Sequence, residues 1–112
     1  MAEALNTFKT LTSEITTENE IIYTAPDGKT SIVLLAQIAN ITESPAEITF
    51  IHFDSNLAEQ TDLLNKFVIP GNDAASPITG KLVIEEGNAV RAFTNVEDAL
   101  VITLSVLESL NA

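Results

Sequence analysis

The sequence predicts an all-β domain, an antiparallel β-sandwich of jelly-roll-like or Ig-like form with about eight strands. Three observations carry this. Ile, Leu, Val and Thr dominate the composition while Trp is absent and aromatics make up only 5%, a balance that favours pleated strands. Turn signals recur at short spacing along the whole chain. The segment 99–109 alternates cleanly, with Leu100, Ile102, Leu104 and Val106 on one face and Thr103, Ser105 and Ser109 on the other. At 112 residues and without a long linker, the chain reads as one domain over 1–112.

The expected strands follow in order. Residues 6–17 alternate weakly around Phe8, Leu11 and Ile15. The whole 1–17 segment is read either as the first strand or as an exchange arm, added to a sheet edge of its own subunit or of a neighbour. Residues 20–24 form the next strand and run into the turn "APDG" at 25–28, where Pro26 fixes φ and Asp27-Gly28 permits positive φ. Strand 30–40 ends at the turn "TESPAE", and strand 46–54 follows. Residues 55–66, "SNLAEQTDLLNK", could hold a short helix capped by Ser55 with Leu57 and Leu64 facing inward, ahead of or in place of the start of strand 62–69. "PGND" and "SPITG" punctuate the approach to strand 79–86. "EEGN" at 85–88 is expected to close a hairpin onto strand 89–94, and "NVED" at 95–98 leads into the last strand.

Sixteen acidic residues against five basic ones give a formal charge of −11. Such a chain repels phosphate, and Lys9, Lys29, Lys66, Lys81 and Arg91 form no basic stripe, so nucleic acid is set aside as a partner. No apolar stretch approaches the length of a membrane span, and the N-terminus lacks the basic and apolar regions of a signal peptide. No membrane partner is expected.

Groups that carry chemistry are few. The one histidine, His52 in "FIHFD", has no nucleophile elbow near it and is expected at a surface or subunit boundary. There is no cysteine, which removes disulfides and thiolate metal sites. Glu85 and Glu86 are neighbours on a strand and point to opposite faces, so they do not converge as an acid/base pair. "DSN" at 54–56 and "GND" at 71–73 offer oxygens to a hard cation, but not at the spacing of an EF-hand loop, and turns use the same residues. No catalytic residue, metal ligand or cofactor is assigned, and the chain is expected not to be an enzyme.

One pattern asks for a partner. The run Ile32 to Ala36 has no polar residue on either side of the chain. Read at period two, Ile32, Leu34, Ala36 and Ile38 share one face and Val33, Leu35 and Ala39 the other. In 46–54, Ile48 and Phe50 share one face, Ile51 and Phe53 the other. A sandwich strand needs one apolar face, so Val33, Leu35, Ile51 and Phe53 are expected to form a second patch outside the core. Burying each such side chain is worth roughly 1.5–3 kcal/mol, so a cover is expected. The candidate assembly interface is therefore Val33, Leu35, Ile51 and Phe53 together with Phe8, Leu11 and Ile15. A symmetric homo-oligomer supplies the simplest cover.

Several elements also carry a resemblance. They are Tyr23-Thr24-Ala25-Pro26 with Gly28 and Thr30, Asn40 at a strand end, Ile69-Pro70, the segment from Lys81 to Gly87, and Leu104 to Glu108. In this order they are similar to small β-sandwich virion structural proteins of tailed bacteriophages, of the marine cyanophage type. The resemblance covers most of the chain and departs mainly at 55–66. It implies a non-enzymatic structural role in the virion, as a capsid decoration or cement protein or as a neck, tail or baseplate accessory. By the same analogy, the protein would be made in the bacterial host cytoplasm and would assemble with itself, a trimer being favoured, and with other virion proteins. The alternative is a tail-associated module that binds a host receptor or polysaccharide.

Overall fold

The structure is a computed structural model that describes residues 6–111. Its strands are β1 (Asn6–Ile15), β2 (Glu20–Thr24), β3 (Lys29–Asn40), β4 (Ala46–Asp54), β5 (Glu59–Ile69), β6 (Ala74–Ala75), β7 (Leu82–Ile84), β8 (Ala89–Thr94) and β9 (Leu100–Leu110). Sheet A runs β1-β9-β3, with β6 and β7 both paired to the far side of β3. Sheet B runs β2-β8-β4-β5. All pairings are antiparallel. If β6 and β7 count as one interrupted strand, first pairs with last, second with second-last, and so on inward to the β4–β5 hairpin. That nested order is a long hairpin rolled up, the jelly-roll solution, and it decides between the two expected sandwich forms.

The core lies between the sheets. Ile15, Val33, Ala36, Ile38, Leu100, Ile102, Leu104 and Val106 face it from sheet A; Tyr23, Ile48, Phe50, Ile69, Val90 and Ala92 face it from sheet B. The alternation read in β9 holds throughout.

The apolar run in β3 has a local cause. Val33 pairs with Val106 and Leu35 with Ser105, so two steps on β3 meet one step on β9. Leu34 is the extra residue of a β-bulge, and it resets the alternation. Before the bulge Ser31 and Val33 point inward; after it Ala36, Ile38 and Asn40 do. The expectation that Val33 lies on an outer patch is thus corrected: it is fully buried in the core. Ile32, expected on the Ala36 face, instead shares the outer face with its partners Leu107 and Val83.

Two other expectations change. No helix forms at 55–66. Asp54 Oδ1 accepts from the backbone N–H groups of Asn56 (3.0 Å) and Leu57 (3.2 Å), closing a turn through Ala58 at φ 53°, and β5 begins at Glu59. The 85–88 turn does not close a hairpin, because β7 belongs to sheet A and β8 to sheet B. It is a corner between sheets: Gly87 (φ 80°) donates to Ala25 O at 3.1 Å, and Ala25 donates to Asn88 O at 3.0 Å.

Candidate functional site

The alternation that buries Leu100 to Val106 continues to Glu108, and so carries a carboxylate inside the sandwich at 1% exposure. Tyr23, on β2 of the opposite sheet, donates to Glu108 Oε2 at 2.5 Å and lies 2.8 Å from Ser31 Oγ. The ammonium of Lys9 sits 3.1 Å from Glu108 Oε1, and that of Lys29 sits 3.9 Å from it. Burial alone would raise the Glu108 carboxyl; the Tyr23 hydroxyl and the Lys9 and Lys29 charges outweigh it and hold the group below its ordinary value. Burial and the neighbouring carboxylate push Tyr23 up to about 12. At neutral pH Tyr23 is therefore a fixed donor and Glu108 a fixed anion. The pair ties β2 to β9 across the core.

A second polar anchor holds the opposite end of β3. Asn40 donates through Nδ2 to Ser44 O (2.8 Å) and Ile69 O (3.0 Å), while its Oδ1 accepts from Thr42 N (2.9 Å) and Thr42 Oγ1 (2.8 Å). Tyr23, Asn40, Ile69 and Glu108 all belong to the motifs that carry the phage resemblance. Here each fixes the sandwich.

The outer face of sheet A is the surface that stands out. Phe8 on β1 is opposite Leu107 on β9, Leu107 is opposite Ile32 on β3, and Ile32 is opposite Val83 on β7. Directly opposed residues share a face, so these side chains form one apolar row across the sheet. Phe8 is 72% and Val83 52% exposed. Leu35, 47% exposed, stands in the adjacent row beside Ser105 and Thr10. The following row is polar: Thr12, Thr103 and Gln37. On the other side lie Asn6, Ser109 and Thr30.

The expected interface residues do not come together. Val33 and Ile15 are core residues, and Leu11 is half-buried against the core. Leu35 and Phe8 are exposed on sheet A. Ile51 and Phe53 lie on the outer face of sheet B, because β3 and β4 never pair. There Ile51, opposite Arg91, is only 3% exposed, and the Arg91 guanidinium sits 5.8 Å from the centroid of the half-buried Phe53 ring. His52 is half-buried and opposite Val90. Leu107, Ile32 and Val83 complete the surface row and were missed. The signal for Leu107 was present, an apolar residue between Ser105 and Ser109 on the outer face of the last strand; for Ile32 the bulge concealed it.

At the open side between β5 and β7, Leu63, Leu64, Ile78 and Leu82 with Lys81 line a cavity of about 400 Å³. Among the described residues, no group of three or more His, Cys, Asp or Glu side chains is placed to hold a metal ion. Asp54 and Asp73, the carboxylates of the two oxygen-rich loops, each accept from nearby backbone N–H groups, as turn residues do. No helix among the described residues is long and apolar enough to cross a membrane.

No protein-family model matches the sequence, and no curated protein matches it. Solved structures share the fold. One is of Bacillus endospore appendages, described as disulfide-linked pili: TM-score 0.57, 10% identity, 96% of this chain and 88% of that one. A second is the nucleoplasmin-like N-terminal domain of Drosophila FKBP39: TM-score 0.51, 13% identity, 100% of this chain and 98% of that one. A third is the virus-like particle of the extra small virus of the prawn Macrobrachium rosenbergii, at TM-score 0.39, 16% identity, 96% of this chain and 81% of that one, a likeness too low to carry weight. At these identities the likeness is one of fold.

Proposed function

We propose that this chain is a non-enzymatic structural protein of a virion, a capsid decoration or cement protein or a neck, tail or baseplate accessory, that works by docking rather than by chemistry. The observation that carries the docking role is the apolar row Phe8–Leu107–Ile32–Val83 across sheet A, with Leu35 beside it. The polar groups that the fold buries support the same reading. Glu108, Tyr23 and Asn40 are spent on joining strands, and a cross-tied β-slab repeated over a surface suits an assembly subunit. The virion setting rests on the phage resemblance of the turn and strand motifs, and with it go synthesis in the bacterial cytoplasm and assembly with other virion proteins.

The test has two parts. Quantitative mass spectrometry of gradient-purified particles from producing cells should find the chain at a fixed copy number. The double variant Phe8→Asp/Val83→Asp should fold yet be lost from the particles. A chain absent from particles would sink the virion reading. A folded double variant incorporated like the wild type would sink the role of the sheet A face.

A further inference from the structure

The sandwich has four lateral edges, and three of them are blunted. β2 is five residues long and carries a bulge at Ile22. β5 has two register shifts against β4 and a residue, Lys66, at φ 52°. The β6–β7 edge consists of two- and three-residue pieces interrupted at Pro77. Short, bulged or proline-broken edges are the usual protection against strand addition.

β1 has none of these devices. It pairs with β9 over ten consecutive residues, Asn6 to Ile15, without a register shift, and among the described residues no strand pairs with its other side. It contains no Pro or Gly. Its one cation, Lys9, is half exposed but is tied to Glu108 at 3.1 Å on the inner face of the sheet. Lys9 and Glu14 leave the strand with no net charge in a chain of −11.

We propose that the free edge of β1 pairs antiparallel with β1 of a second copy of this chain, making sheet A continuous across a two-fold axis. A two-fold edge pairing is self-complementary, since each copy offers the donors and acceptors that the other lacks. Along β1 itself Lys9 and Glu14 cancel, so β1 against itself meets no net like charge, and the repulsion between the acidic chains as wholes is what salt screens. Thr7, Thr10, Thr12 and Ser13 suit cross-strand contacts between hydroxyl-bearing side chains. The pairing also sets the apolar rows of the two copies on one broad face. This unit is two-fold, where the analogy with decoration proteins favoured a trimer.

The inference stands apart from the virion reading, because the purified protein reports it without particles. The chain has no cysteine, so single cysteines are clean probes. Thr10→Cys and Thr12→Cys are placed on the edge strand and Val83→Cys at the far edge of sheet A. Under mild oxidation, at least one of the first two should yield a disulfide-linked species of twice the 12.0 kDa chain mass, with Val83→Cys forming no disulfide-linked dimer. Sedimentation of the wild type should show the same doubling, more strongly at high salt, where mutual repulsion of the acidic chains is screened. Neighbouring strand residues send their N–H groups to opposite sides. Of Leu11→Pro and Thr12→Pro, one therefore disrupts the bond to β9, while the other should remain folded and lose the dimer. A wild type that stays at 12.0 kDa at high salt and high concentration overturns the proposal. So does cross-linking of Val83→Cys as efficient as that of the edge cysteines, or a folded proline variant that still dimerises.

Discussion

The hydroxyl of Tyr23 and the carboxylate of Glu108 meet at 2.5 Å between the two sheets, 85 residues apart in the chain. Tyr23 is 8% and Glu108 1% exposed, so this contact is made away from water. A buried carboxylate without partners would be costly. With Tyr23, Lys9 and Lys29 around it, the same group pins β2 onto β9.

Tyr23→Phe removes the donor and keeps the ring. A hydrogen bond to a charged group is worth about 1.5–3 kcal/mol, and urea denaturation should show a loss of that order. Glu108→Ala should cost more, because it leaves the Tyr23 hydroxyl without its acceptor and opens a void. A Tyr23→Phe protein as stable as the wild type would mean that the contact is not a tie.

The same pair predicts a pH profile. The Glu108 carboxyl is depressed in the folded state, so its stabilisation is present above its unfolded value and lost as the pH falls through the folded one. Tyr23 is raised from 10.0 to about 12 in the folded state. Between those values the unfolded chain has lost the proton that the folded chain keeps, so stability falls as the pH rises from 10.0 towards 12. Glu14 runs against Glu108 at the acid end: a hydrogen bond to Asp98, and the Asp98 charge, raise it, so protonating it favours the fold. Thermal melts across pH should show Glu108→Gln flattening the acid-side loss and Tyr23→Phe flattening the alkaline one. An acid limb unchanged in Glu108→Gln would assign that loss to other carboxylates.

The bulge predicts opposite outcomes for near neighbours. Val33→Asp places a charge in the core, where an uncompensated buried charge costs about 3–5 kcal/mol, and should unfold the protein or nearly so. Leu35→Asp, two residues on, faces solvent and should change stability by less than about 0.5 kcal/mol. Circular dichroism with urea titration separates them. Equal damage from both would contradict the placement of the extra residue at Leu34.

Gly71 is required by space rather than by φ. A Cβ there would stand 2.2 Å from Glu43 O, a backbone atom that cannot rotate away. Close by, Asn72 donates to Thr42 O at 2.8 Å and Asn40 donates to Asp73 O at 2.8 Å, so the loop is tied on both sides. Gly71→Ala should cost about 1–3 kcal/mol as an overpacking change. Hydrogen exchange should show the loss first at the Asn40 and Asn72 amides.

Particular residues show what was legible in the chain. The inward face of β9 could be read at period two because no bulge interrupts that strand, and "APDG" marked its turn by its own chemistry. Glu108 was equally readable as the next inward position, yet an acidic residue at the end of an alternating strand resembles a solvated terminus. Its cover comes from Tyr23 on another sheet and Lys9 on another strand. The turn at 54–58 was misread because Ser55, Leu57 and Leu64 fit a capped helix, whereas Asp54 captures the amides of Asn56 and Leu57 and Glu59 onward pairs with β4.

By itself, the sequence determined the β class and most strand locations, because side-chain alternation and turn residues act over a few neighbours. Tertiary structure decided the rest. Only the pairing of β3 with β9 shows that Leu34 is extra, and this moves Val33 into the core and Ile32 onto the surface. Only the sheet order separates β3 from β4, scattering the expected patch and assembling Phe8, Leu107, Ile32 and Val83 in its place. Register and sheet membership are set by hydrogen bonds between segments far apart in the chain, and local periodicity carries no record of them.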